Sequence, residues 1–271
     1  MFAGTAAFAV PSLRALHSAS HDVALVVTQP DRPAHRGMKL TPPPVKVAAG
    51  ELGLTTYQPE KVRDPDAVER LHALAPDFLV VVAYGQILPA AVLSIPRLAA
   101  INVHASLLPR WRGAAPVARA ILAGDRETGV TIMKMDDQLD HGPVLGMRAT
   151  PIASDEDAVA LTSRLAETGA ELLVETLAHF DELQVAGQDH TQATVAAKLR
   201  REEGELDWGM AAEEIDRRVR GLQPWPGATL PTARGRVKIL RGHVEGDRYV
   251  PDVMQVPGKK PAPAKQVLGD A

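Results

Sequence analysis

Phe78-Leu79-Val80-Val81-Val82-Ala83 is an unbroken apolar run that stops at Tyr84-Gly85. A strand with one wet face alternates apolar and polar residues. A run without alternation predicts a strand covered on both faces, as in a parallel sheet packed between helices. The segments on either side agree. Before the run come a short apolar stretch ending in Gly4-Thr5, helical spacing of Leu13 and Leu16 over 11–19, a β-branched run over 23–28, and a helical pattern over 65–74. After it come a short strand Ile101-Asn102-Val103, a helix over 116–123 and an alternating strand over 130–135. A long amphipathic helix follows over 155–181, with Leu161, Leu165, Leu172, Leu173 and Leu177 on its apolar face. This order of elements predicts an open, doubly wound α/β domain.

Beyond it, residues 182–200 are polar and mixed, the composition of a connection. A helix is expected over 211–221, with Arg217, Arg218 and Arg220 at its C-terminal end, where cations suit the helix dipole. Leu222-Gln223-Pro224-Trp225-Pro226-Gly227-Ala228 reads as a rigid turn, and Arg236-Val237-Lys238-Ile239-Leu240 as a strand with one basic, solvated face.

The length of 271 residues is enough for about two domains. With 45% apolar and 23% charged residues the composition is that of an ordinary globular chain. The absence of cysteine excludes disulfides, a thiolate nucleophile, cysteine-ligated zinc and iron–sulfur clusters, and suits a reducing compartment. Aromatics at 4% are too few for a base-stacking platform. No apolar run is long enough for a membrane span. The first residues, Met1-Phe2-Ala3-Gly4, show no basic stretch followed by an apolar one, so no signal peptide is expected. The chain enters its first strand almost at once, so that strand is short or begins before Met1. The net charge of −3 is uneven: residues 217–271 hold 11 Lys and Arg against 4 acids, a balance of +7, which leaves −10 on the rest. A basic tail on an acidic body points to an anionic partner or to a merely basic surface.

Two nucleotide motifs are missing. Gly4 stands alone where a G-x-G-x-x-G fingerprint would begin, and no G-x-x-x-x-G-K-[ST] occurs, so dinucleotide and P-loop binding are not expected. The informative stretch is Ile101-Asn102-Val103-His104-Ala105-Ser106-Leu107-Leu108-Pro109-Arg110-Trp111-Arg112-Gly113. Asn102 and His104 lie two apart, so in a strand both side chains face the same side. Carboxyl ends of parallel strands are where ligands bind, and an amide beside an imidazole can hydrogen-bond one substrate oxygen from two directions. The strand over 130–135 runs into Asp136-Asp137-Gln138-Leu139-Asp140-His141-Gly142-Pro143, whose carboxylates could reach the ring and steer its proton. On pattern alone the bland alternatives stay open: Asn102 as a turn residue, His104 as a hydrogen-bonded core histidine and Asp140 as a surface loop residue. A Ser106-His104-Asp140 hydrolase triad is disfavoured, because Ser106 lacks the G-x-S-x-G elbow.

Asn102-Val103-His104-Ala105-Ser106-Leu107-Leu108-Pro109 with Gly113, followed by Leu139-Asp140-His141-Gly142, resembles the signature of the folate-dependent formyltransferase family. The segments Thr28-Gln29-Pro30-Asp31-Arg32-Pro33-Ala34-His35-Arg36-Gly37-Met38-Lys39-Leu40, 80–85 and 109–116 are similar to the branch of that family that acts on initiator methionyl-tRNA. The resemblance runs from residue 2 to about 241, with a last piece over 256–260.

The resemblance implies a Rossmann-like doubly wound parallel sheet and a second, small, OB-like β-barrel, shortened here between Gly242 and Val256. The expected organisation is a catalytic domain over 1–186, a linker over 187–202 and a tRNA-binding barrel over 203–271. The implied reaction moves a formyl group from 10-formyltetrahydrofolate to the α-amine of methionine on initiator methionyl-tRNA; formylation of a small amine is the alternative, and an RNA-binding protein with a vestigial formyltransferase domain is a second. The implied catalytic residues are Asn102, His104 and Asp140. The implied folate contacts are Ser106, Leu107, Leu108, Pro109, Gln86, Ile87, Leu88, Gln138 and Leu139, although Ile87 and Leu88 are equally plain core residues. The basic, proline-rich stretch 31–46 is expected to be a loop without regular helix that enters the tRNA acceptor stem through Arg32, Arg36, Lys39 and Lys46. No metal or nucleotide cofactor, no membrane, a cytoplasmic setting and a monomer are expected.

Overall fold

The computed structural model describes residues 1–34, 39–233 and 235–269. The chain divides into two compact units, one formed by Met1–Arg112, Gly129–Ala149 and Ser163–Thr194, the other by Gly113–Thr128, Thr150–Thr162 and Val195–Ala271.

The central sheet has strands β1 (Phe2–Gly4), β2 (Val26–Val27), β3 (Thr56–Tyr57), β4 (Phe78–Val82), β5 (Ala99–His104), β6 (Glu127–Lys134) and β7 (Val144–Pro151), in the spatial order β7-β6-β5-β4-β1-β2-β3. Helices α1 (Val10–Ser18), α2 (Pro44–Glu51), α3 (Pro65–His72), α4 (Ala90–Leu93), α5 (Pro116–Ala123) and α6 (Ala158–Ala178) fall between or after these strands. The five strands from β3 to β5 are parallel, with Gly4 opposite Val82 and Val81 opposite Asn102. The apolar run over 78–82 is the strand it was expected to be, buried from Leu79 to Val82. Strand β6 departs from the parallel pattern: it runs antiparallel to β5, pairing Asn102 with Met133 and His104 with Thr131. It is also buried from Thr128 to Met133 rather than half-wet, so the alternation read in the sequence marks small polar residues inside the core and not a solvated face. The strand read over 23–28 shrinks to β2, because only Val26 and Val27 find partners in the ladder.

Chain order and spatial order reverse between β1 and β4, which opens a crevice at their carboxyl ends. Thr5 closes that end: its hydroxyl donates to the Tyr84 carbonyl at 2.7 Å, and Gln29 Nε2 donates to the same oxygen at 3.0 Å. Three strand ends are thereby tied to one atom. Tyr84 itself is buried, and burial pushes its phenol up to about 12. Helix α6 lies close on β5 and β6. A Cβ at Gly169 would come 2.9 Å from Val103 Cγ1, so only glycine permits this approach.

The stretch 31–46 is not wholly irregular. Arg32–Ala34 pairs antiparallel with Lys39–Thr41, and α2 begins at Pro44. Proline costs nothing at the first helical position, where its missing N–H would have no partner, so Pro44 starts a helix that Pro42 and Pro43 could not have continued.

In the second unit, α7 (Ala212–Gly221) and α8 (Ala264–Leu268) accompany β8 (Ala228–Thr232), β9 (Gly235–Glu245), β10 (Arg248–Gln255) and β11 (Ala262–Pro263), an antiparallel ladder in that order. Its core joins Ile215 and Val219 of α7 to Leu230, Val237, Ile239 and Met254 of the sheet. Helix α5 also belongs to this unit: Gly221 of α7 stands against Ala118, Ile121 and Leu122, where a Cβ would meet atoms at 3.1–3.3 Å. The expected linker over 187–202 is structured. Its first part, to Thr194, packs in the first unit, and Gln188 there is buried. The polar composition read as a tether is spent on internal hydrogen bonds.

Candidate active site

Asn102 and His104 stand at the carboxyl end of β5, two residues apart on one side of the strand, as the spacing required. Asp140 arrives from the loop after β6. Its carboxylate reaches both: Asn102 Nδ2 donates to Oδ1 at 3.4 Å, and Oδ2 lies 3.7 Å from His104 Nδ1. The side chains of His104 and Asp140 are only 7% and 13% exposed. Charge interactions between them are therefore weakly screened. The other ring nitrogen, Nε2, lies 2.9 Å from the carbonyl oxygen of Trp111. A carbonyl only accepts, so Nε2 carries a hydrogen and Nδ1 is the nitrogen that exchanges a proton with its surroundings.

Both residues that flank the ring hold left-handed backbone, Trp111 at φ 60° and Asp140 at φ 47°. Side-chain-bearing residues rarely adopt this region, and such residues persist where neighbours over-determine them. For Trp111 the neighbours are Thr194, whose hydroxyl accepts from Trp111 N at 2.9 Å, and Ser106, whose hydroxyl donates to the Arg110 carbonyl at 2.6 Å. The Arg110 guanidinium lies over the Trp111 ring, 4.5 Å from its centre. Thr131 braces the same turn, donating to the Ser106 carbonyl and accepting from Leu108 N.

The Asp140 loop is closed at its base. Lys134 N donates to the Pro143 carbonyl at 2.9 Å, and a Cβ on Gly142 would come within 1.9 Å of the Lys134 oxygen, so glycine is required there. Asp136 accepts from Gln138 N and pairs with His141 Nδ1 at 2.7 Å.

The expected folate set divides. Ser106 and Leu108 are buried in the turn they build, and Leu88 lies in the core, so these three offer no side chain to a ligand. Gln86 is spent on the backbone, accepting from Val62 N at 2.9 Å and donating to the Glu60 carbonyl at 3.2 Å. Leu107 and Pro109 are partly exposed and Gln138 is exposed. Ile87 and Leu139, at 92% and 66% exposed, are the apolar side chains that the two loops leave in water.

The basic set divides too. Arg32 and Lys39 are exposed, and Arg36 lies outside the described residues. Lys46 is held by Asp31, with Nζ 2.8 Å from both carboxylate oxygens. Hydrogen bonds from Gln58 and Lys46 hold the Asp31 carboxyl below its ordinary range. In the second unit Arg218 and Arg220 pair with Glu214 and Asp216, Arg236 donates to the carbonyls of Leu206 and Thr229, and Lys238 donates to that of Pro224. Much of the basic tail is thus engaged internally. Arg241, Arg248, Lys259, Lys260 and Lys265 are exposed.

Among the described residues no cluster of three or more His, Asp or Glu is arranged to hold a metal ion, and no helix is long and apolar enough to cross a membrane. Trp111, Gln188 and Thr194 carry no pattern in the sequence that marks them as functional. A carbonyl acts through its peptide, which leaves no trace in residue type, and the other two sit in the polar stretch taken for a connection. Thr131, a hydroxyl in the middle of an apolar strand, carried a usable signal.

Residues 1–177 match the family model described as formyl transferase, and residues 198–261 that of the formyl transferase C-terminal domain. The chain is 53% identical over 230 residues to the methionyl-tRNA formyltransferase of Methylococcus capsulatus, covering 84% of this chain and 75% of that one. It is 46% identical over 261 residues to the methionyl-tRNA formyltransferase of Trichlorobacter lovleyi, covering 96% and 83%. Among solved structures, the N-formyltransferase of Helicobacter canadensis, in complex with folinic acid and dTDP-3-aminofucose, superposes with a TM-score of 0.68 at 15% identity over 93% of each chain, a likeness of fold.

Proposed function

The chain belongs to the formyl transferase family, among its methionyl-tRNA formyltransferases, and on that premise we propose how its own residues carry the reaction. The enzyme transfers a formyl group from 10-formyltetrahydrofolate to the α-amine of methionine on initiator methionyl-tRNA, a step of translation initiation. A bond forms between the amine nitrogen and the formyl carbon, the bond from that carbon to N10 breaks, the amine gives up a proton and N10 gains one.

The observation that supports our assignment is the carboxylate of Asp140 placed between the Asn102 amide and His104 Nδ1. Asn102 donates to the formyl oxygen as it becomes an oxyanion. His104, protonated at Nδ1 while Nε2 is held by Trp111, adds positive charge beside the same oxygen. Removing one such donor typically costs about 2.7–4 kcal/mol of barrier. Asp140 stabilises the imidazolium and takes the proton that leaves the amine. The 3.4 and 3.7 Å separations are those of a site without substrate, in which catalytic hydrogen bonds are commonly long.

Ile87 and Leu139 face the folate rings, with Leu107, Pro109 and Gln138 beside them. Arg32, Lys39 and, by family resemblance, Arg36 contact the tRNA, and the exposed cations of the second unit add phosphate contacts. The position of Lys46 against Asp31 gives it a supporting role behind the paired strands Arg32–Ala34 and Lys39–Thr41. The enzyme works as a monomer in the cytoplasm, where charged initiator tRNA is used. The test is formylation of methionyl initiator against methionyl elongator tRNA with 10-formyltetrahydrofolate as donor. Turnover selective for the initiator is expected; equal turnover, or turnover of small amines, overturns the reading.

A further inference from the structure

We propose that Gln188 is a positioning residue for formyl transfer: its side-chain amide holds the peptide that carries Asp140 and so sets where the carboxylate stands against His104. The inference rests on the assignment of Asn102, His104 and Asp140 given above.

Gln188 is buried, and its amide is fully used. Nε2 donates to the carbonyl of Asp140 at 3.0 Å and to that of Gly142 at 2.7 Å. Oε1 accepts from Arg112 Nε at 3.2 Å and from Arg112 Nη2 at 2.6 Å. The orientation has no alternative. A flipped amide would set its NH2 against a guanidinium and its oxygen against two carbonyls.

The loop has other anchors, but they act elsewhere. The Lys134–Pro143 bond and the close approach of Gly142 fix its base, and the Asp136–His141 pair fixes its flank. The amide of Gln188 reaches the Asp140 peptide itself. That peptide belongs to a residue at φ 47°, a conformation that needs support from outside the residue.

Arg112 extends the support to the other side of the ring. It follows Trp111, whose carbonyl receives His104 Nε2. Its Nη2 also reaches His190 Nδ1 at 2.8 Å, and the His190 ring stacks on His141 of the Asp140 loop with centres 3.9 Å apart. One amide therefore touches the residue next to Trp111 and the backbone of Asp140. Trp111 and Asp140 are the two neighbours that fix His104. A misplacement of about 1 Å at a reacting group can cost on the order of a hundredfold in rate.

The test compares Gln188→Glu and Gln188→Met with the unaltered enzyme. Glutamate keeps the length and the acceptor for Arg112 but cannot donate to either carbonyl; methionine keeps the bulk and neither function. Initial rates are measured from pH 5.5 to 9 with initiator methionyl-tRNA and 10-formyltetrahydrofolate, together with thermal unfolding. Both variants are expected to lose at least about tenfold in kcat, with KM for each substrate within about threefold. The pH profile of kcat should change as well, because the Asp140 carboxylate would no longer stand at its set distance from His104 Nδ1. The proposal is overturned if Gln188→Glu keeps kcat and profile, if the loss lies in KM alone, or if both variants lose rate only in proportion to folded protein lost. Asp140→Asn is measured alongside. If it retains full kcat, the assignment of Asp140 fails; if it loses kcat while Gln188→Glu does not, only the role of Gln188 fails.

Discussion

His104 Nε2 sits 2.9 Å from the carbonyl oxygen of Trp111, and this contact leaves Nδ1 as the nitrogen that meets Asp140. The ring is thus fixed in plane and in tautomer before any substrate arrives. His104→Ala should therefore lower kcat by at least about a hundredfold, the usual loss for one transition-state donor. Folate affinity should stay within about twofold, since the ring acts on charge that develops during transfer. Equilibrium folate binding and single-turnover formylation measure the two separately. Lost binding with preserved turnover would reject the role.

Asp140 offers a cleaner separation of charge from shape. Its backbone at φ 47° is one that asparagine adopts more readily than alanine, although Ala75 and Ala83 hold it elsewhere in the chain at φ 41° and 44°. Asp140→Asn should keep the melting temperature and lose kcat at every pH, because the ring has lost its carboxylate partner. Asp140→Ala should lose the same activity and, in addition, about 1–3 kcal/mol of stability from backbone strain. Calorimetry of the two variants side by side reads the difference. Equal melting temperatures would show that the left-handed turn is not under strain.

Lys39 and Lys46 lie in one basic stretch but in different circumstances. Lys39 is exposed, whereas the ammonium of Lys46 already has a carboxylate, Asp31, at 2.8 Å from both oxygens. Lys39→Ala should reduce the slope of log K against log salt for tRNA binding by roughly one, the signature of one lost phosphate contact. Lys46→Ala should leave that slope unchanged and instead loosen the start of α2, visible as faster amide exchange over 44–51. Equal changes in slope for both would show that Lys46 leaves Asp31 when tRNA binds.

The parts of the fold that rest on local pattern were legible in the sequence. The run over 79–82 announced a doubly covered strand, and the period of two placed Asn102 and His104 on one side of β5. What was not legible depends on where the chain returns from far away. Gln188 looks like linker until its amide is seen on the carbonyls of Asp140 and Gly142. Ser106 looks like a ligand contact until its hydroxyl is seen on Arg110. The antiparallel direction of β6 also depends on tertiary pairing, because a buried strand reads the same in either direction. Resemblance supplied the chemistry of the triad; residue type alone left Asp140 undistinguished from Asp136 and Asp137.

The second unit makes a prediction about acid. Glu203 accepts from Arg119 through both oxygens, Nη1 at 2.5 Å and Nη2 at 3.0 Å, and from Arg200 N at 2.7 Å. The Arg119 hydrogen bonds hold its carboxyl below the ordinary value of 4.5. A carboxyl whose folded value is depressed adds stability that is present in full above its unfolded value and is lost as pH falls through the folded one. Glu203→Gln removes the charge and keeps the shape. The charged pair is about four-fifths buried, so at pH 7 the substitution should cost about 1.5–3 kcal/mol, several degrees in melting temperature. As pH falls below 4.5 toward the depressed folded value the gap should narrow, because a protonated Glu203 turns a hydrogen toward Arg119 much as glutamine does. Other carboxyls titrate alike in both proteins and cancel in the comparison. Melting curves at half-unit steps from pH 7 to pH 3.5 measure the gap. A gap that stays constant over that range would mean that Glu203 contributes through shape and not through its charge.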